Sequence, residues 1–140
     1  MSELLTVEVA TFAEVEIPET LTDELLADLV GFTLASEQAK GEWEINLSFT
    51  GVVEITRLHQ QFMSLPEPTD ILTFGYDDSS GGDIAICVPV ATDNALEHEI
   101  PVERELCFLV VHGVLHLVGH DDQSDEMRGA MLSRQDQILD

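Results

Sequence analysis

Apolar residues alternate with polar ones at Leu5, Val7 and Val9, and more regularly at Trp43, Ile45, Leu47 and Phe49, with Glu44, Asn46, Ser48 and Thr50 between or beside them. A repeat of two places successive side chains on opposite faces of an extended chain, so both stretches predict half-buried strands. Between them the period changes. Leu25, Leu26, Leu29 and Phe32 recur at helical spacing after a polar start at residues 20–23, which predicts a helix with Gly41 as its stop. Beyond Gly51, Ile55, Leu58 and Phe62 predict a short helix closed before Pro66 and Pro68. Residues 71–74 read as a short strand, residues 76–82 as a polar, Gly-containing loop, and residues 83–88 as a strand stopped by Pro89. Two strands joined this way predict a hairpin.

From Pro101 the pattern is helical and almost wholly apolar between Cys107 and Val118, as expected of a helix buried all round. Gly119 ends it. Ser124 is a candidate N-cap, and Met127, Met131 and Ile138 predict a last amphipathic helix. The order β, α, β, α, β, β, α, α predicts an α+β fold in which a mixed sheet of about four strands packs with helices, the 101–119 helix being central.

Composition narrows the setting. A chain of 140 residues fits one domain, taken as 1–140. No apolar run approaches the ~20 residues that span a bilayer, and the N-terminal stretch lacks a basic region, so a cytoplasmic protein without a membrane partner is expected. Cys87 and Cys107 form no CxxC pair and read as reduced core residues. The charge is more telling: 28 Asp and Glu against 5 Lys and Arg give −23. Such a surface is heavily solvated, suits high salt, and repels nucleic acid at long range, because affinity for a phosphate backbone comes largely from Lys and Arg.

The candidate chemistry lies in the apolar helix. Three of the five histidines, His112, His116 and His120, fall within nine residues. Residues four apart stack on one helix face, so His112 and His116 can share one ion at about 2.0–2.1 Å from each ring nitrogen. Gly119 can turn the chain back, which makes His120, Asp121 and Asp122 candidates for a third ligand. Two separately satisfied core histidines are the plain alternative, but they leave the polar cluster after the glycine unexplained.

The segment from His112 to Asp122 resembles the signature H-G-x-L-H-L-x-G-x-D-H of the YbeY family of bacterial metal-dependent endoribonucleases, matching it at His112, Gly113, Leu115, His116, Leu117, Gly119 and Asp121. Residues 68–74 resemble the family's P-T-D-V-L-S-F, and residues 82–84 its G-D-I. The resemblance implies a zincin-like fold, one zinc ion per chain, and single-strand-specific RNA cleavage in rRNA maturation and ribosome quality control, with rRNA and ribosome-associated proteins as partners and no DNA. It also implies a third ligand ten residues after the first, where Asp122 stands instead of the family's histidine; aspartate is a competent zinc ligand, with His120 the alternative. Met63 stands where the family carries a phosphate-holding arginine, and His59 where it carries asparagine, making His59 a candidate proton carrier or else a helix-surface histidine.

The leading expectation is therefore a zinc-dependent endoribonuclease in which His112 and His116 act through an activated water. A second is a ribosome- or protein-binding factor that keeps the fold and metal with catalysis weakened. A metallopeptidase ranks third, because Gly113 occupies the place of the glutamate in HExxH. Asp70 and Asp83 are candidates to orient a ligand imidazole, or else to cap turns.

Overall fold

A computed structural model describes residues 4–65, 67–76 and 80–119. His120, Asp121, Asp122 and the helix expected after Ser124 lie outside these residues. The elements are β1 (Leu5–Ala13), α1 (Asp23–Ser36), β2 (Gly41–Thr50), α2 (Val52–Met63), β3 (Ile71–Gly75), β4 (Ser80–Cys87), α3 (Val88–His98) and α4 (Val102–Leu117). The sheet runs β1-β2-β4-β3, with β1 and β4 both parallel to β2 and β3 antiparallel to β4. The expected α+β fold with a four-stranded mixed sheet and a β3–β4 hairpin is thus observed.

Alternation along the strands divides the sheet into two faces. Ile45, Leu47 and Phe49 of β2 and Ile84 and Ile86 of β4 are fully buried against Leu26, Val30 and Leu34 of α1 and Leu106, Val110 and Val114 of α4. Each such side chain contributes roughly 1.5–3 kcal/mol by leaving water, so this layer dominates stability. On the opposite face α2 seats Ile55 and Leu58 on Leu72, Ala85 and Cys87 of β3 and β4, with Val90 of α3 at the edge of the same cluster. β1 and the adjoining side of β2 face outward there.

Three local expectations need correction. The first helix starts as predicted, with Thr22 Oγ1 accepting from the Leu25 N–H at 3.1 Å, but it ends before Gly41. Gln38 takes the left-handed turn (φ 59°), and the Ala39 N–H closes on the Leu34 carbonyl at 3.0 Å. Pro89 starts α3 rather than merely stopping β4, because a proline at a helix's first positions loses no hydrogen bond the helix would make. Nor is α4 buried all round: Val111 and Leu115 pack toward α1, Val114 joins the sheet-facing core, and His112 and His116 remain half-exposed.

Candidate metal centre and its cleft

Helix α4 lacks a side-chain N-cap, but Glu103 and Glu105 in its first turn oppose the positive end of its dipole. From there one stripe, Glu105, Leu109, His112 and His116, faces a cleft of about 640 Å³ between α4, α3 and β3. The His112 and His116 rings stand 4.8 Å apart, centroid to centroid, at 65°. One helical turn separates them, as the i, i+4 spacing requires, and both reach solvent through the cleft.

Gly113 explains how closely this helix approaches the sheet. A Cβ there would lie 2.9 Å from Cδ1 and Cγ2 of Ile84, so the residue after the first histidine is pressed onto β4. A glutamate at this position has no room, and it would point into the apolar core rather than at the histidines. The steric reason that excludes the base of HExxH is thus built into the helix–sheet contact.

The rest of the cleft is polar. Asp70, at the entry to β3, accepts from the Asn94 amide at 3.3 Å, and its carbonyl accepts from the Cys87 N–H at 2.9 Å. His98 of α3 and Arg104 of α4 complete the wall. Glu105 is 6% exposed. Its carboxyl is held above the usual carboxylate range by burial first and by the charge of Asp70 second, with His98 acting in the opposite direction.

Of the residues singled out in the sequence, His112 and His116 are brought together and Asp70 shares their cleft. Asp83 is not there: it projects from the other face of the sheet, accepting from Tyr76 at 2.6 Å and Asn46 at 3.1 Å, and so cannot orient either imidazole. His59 is buried on α2, not a surface residue, and lies 2.7 Å through Nδ1 from the Glu67 carbonyl. A carbonyl only accepts, so Nδ1 carries the proton and the ring ties the α2–β3 connection to the helix. His59 does not line the histidine cleft, and Met63, 56% exposed at the end of α2, does not line it either.

Sequence reasoning missed Asn94, His98, Arg104 and Glu105. The last was recoverable, since it lies seven residues before His112 on the same helix face. Asn94 and His98 sit on α3, hidden by the reading of Pro89 as a stop.

The profile of the family described as Endoribonuclease YbeY matches residues 9–140. The chain belongs to the YbeY family. Similar YbeY endoribonucleases include that of Oceanobacillus iheyensis, 33% identical over 130 residues, covering 83% of this chain and 84% of that protein. The Roseiflexus castenholzii protein is 36% identical over 127 residues, covering 82% of this chain and 80% of its own length. A solution structure from Thermotoga maritima superimposes with a TM-score of 0.69 at 28% identity, covering 94% of this chain and 87% of that one. Among the described residues no group of three His, Cys, Asp or Glu side chains is placed to hold a metal, and no helix is long and apolar enough to cross a membrane.

Proposed function

We propose that this YbeY protein is a metal-dependent endoribonuclease that cuts single-stranded RNA during rRNA maturation and ribosome quality control. The observation that carries the reading is the His112–His116 pair, two half-exposed imidazoles one turn apart on the wall of a polar cleft. Two such nitrogens suit a borderline ion such as zinc, with Asp122, or His120 in its place, as the third ligand. A zinc ion held by these residues would supply Lewis-acid charge and make a bound water more acidic.

The chain's own groups do the positioning. Arg104 brings a guanidinium into the same cleft and can hold a phosphate through two parallel N–H donors, the task left open by Met63. The Asn94 amide and the Asp70 carboxylate offer a donor and an acceptor for a ribose or base edge, and Phe108 offers a ring on which a base can stack. His98 is exposed at the same cleft, and its charge acts on the buried Glu105 against burial and Asp70.

The second reading, a ribosome- or protein-binding factor with weakened catalysis, is favoured by one observation: Met63 is exposed and outside the cleft, which leaves Arg104 of α4 as its one arginine among the described residues. One experiment separates them. Purified protein is expected to carry about one zinc per chain and to cut single-stranded RNA, with both properties lost in His116→Ala. Bound zinc without cleavage would leave the binding factor; metal-free native protein would defeat both.

A further inference from the structure

The face of the sheet turned away from the histidines holds a second hollow of about 670 Å³, floored by Asn46, Ser48 and Ala85 and walled by Phe12 of β1 and by Leu58 and Phe62 of α2. Phe12 and Phe62 are 57% and 56% exposed, and Phe62 leans on Phe74 with ring centroids 5.0 Å apart. Beside it, Tyr76 donates to Asp83 at 2.6 Å and receives the Asn46 amide at 2.6 Å, a polar cluster fixed in the floor. The same face continues along β1 and β2 into a smaller hollow of about 220 Å³ lined by Glu8, Glu42 and Glu44.

The strand register makes this acidic end costly. Glu8 lies opposite Glu44 on neighbouring strands, both exposed on one face, and like charges in that relation repel. Glu14 rims the aromatic end, Glu54 beside it is ion-paired with Arg57 of α2, and no Lys or Arg lines either hollow among the described residues. Glu44 also adds to the repulsion that Asp83 exerts on the Tyr76 phenolate, so the acidic and aromatic ends are electrostatically continuous.

Charge selects the occupant. A second copy would bring another −23 to this face, and RNA would bring phosphates. A cationic chain instead relieves the Glu8–Glu44 repulsion and can lay guanidinium or ammonium groups on exposed phenylalanine rings. We propose that this face is a docking site for a basic polypeptide segment of a partner protein, its Arg or Lys side chains over Glu8, Glu42 and Glu44 and its neighbouring apolar side chains between Phe12 and Phe62. From position 42 to 50 the floor of β2 runs about 26 Å at ~3.3 Å per residue, which sets the segment at about nine residues if extended. The site is independent of the endoribonuclease reading, because it shares no residue with the histidine cleft.

The test uses the full chain and a fluorescein-labelled peptide of about ten residues, with arginines in its first half and leucines alternating with serine in its second, followed by anisotropy. Phe62→Ser is expected to weaken binding about tenfold and the pair Glu8→Gln with Glu44→Gln about fivefold. Glu24→Gln with Asp28→Asn, two acids removed from α1 beyond the opposite face, is expected to leave it unchanged. Because Phe12 and Phe62 are exposed, both serine variants keep the fold, and Phe12→Ser serves as the second probe, checked by circular dichroism. Amide shifts in the labelled protein are expected on β1, β2 and α2. Equal weakening by the α1 pair would reduce the effect to diffuse attraction and overturn the site. Self-association that Phe62→Ser abolishes would assign the face to a second copy, and binding of a single-stranded RNA that Phe62→Ser weakens while His112→Ala leaves it unchanged would assign it to nucleic acid. Either result overturns the proposal.

Discussion

Alternate residues of the same strands line the two faces of the sheet, yet the faces have been put to different use. Ile45, Leu47, Phe49, Ile84 and Ile86 are closed over by α1 and α4, and the histidine pair sits at the border of that dry layer, its backbone held by Gly113 against Ile84. On the other face Glu8, Phe12, Glu44, Asn46 and Asp83 stay in contact with water, because among the described residues α2 covers the β3–β4 half and no helix covers β1. The difference teaches where precision and where adaptability are available. A close-packed layer holds a donor pair in register, whereas a half-covered face can accept a chain without repacking. Damage to the first face should therefore cost stability and activity together. Damage to the second should leave activity untouched.

The sharpest break in that comparison is His116→Ala, expected to lower RNA cleavage on the order of a hundredfold or more and to empty the metal from the protein, while peptide anisotropy stays at the wild-type value. Loss of peptide binding in this variant would show that the faces are coupled. Next is Gly113→Ala, whose added methyl must displace Ile84; about 1–3 kcal/mol of stability should be lost by denaturant melts, with cleavage falling as the histidines shift. Tyr76→Phe, on the other face, removes a bond donated to Asp83 and one received from Asn46, and should cost about 1 kcal/mol with cleavage unchanged.

Smaller effects appear on titration. Burial, then Asp70, raises the Glu105 pKa on folding, against the pull of His98. Its protonated form therefore favours the folded state below the usual glutamate value, and this support is withdrawn as pH climbs through the raised value. Glu105→Gln should melt like wild type near about pH 4 and a few degrees higher at about pH 8, so an unchanged difference across that range would contradict the assignment. Tyr76 is the chain's one tyrosine, so its ionisation can be followed by absorbance. The hydrogen bond to Asp83, assisted by burial, holds its phenol above the ordinary tyrosine value; Asp83→Asn should return the midpoint toward that value.

Periodicity made the strands and three of the helices legible, because burial of one face imposes a regular repeat on Trp43 to Phe49 and on Leu25 to Phe32. It failed at α3, where Pro89 has two structural meanings that only the following turn distinguishes. The histidine pair was legible because four-residue spacing is a helix-face relation independent of tertiary structure. The cleft around it was not: Asp70, Asn94 and Arg104 meet only after β3, α3 and α4 pack, and no local pattern carries that information. Asp83 shows the converse, since its side-chain direction is fixed by the pleat, and a shift of one residue would have placed it on the histidine side. The open face escaped notice because exposed phenylalanines on β1 and α2 look, one at a time, like ordinary strand and helix residues.

The tight seat of Gly113 also limits what this scaffold can become. On sequence alone the histidine helix is one substitution, Gly113→Glu, from a peptidase motif, yet the space such a side chain requires belongs to Ile84. A laboratory lineage selected for peptide hydrolysis would first have to shrink Ile84, losing stability before any new activity appears. Even with that room made, the new carboxylate would lie on the Ile84 side of the helix, away from His112 and His116, so the cost in stability comes with no base gained.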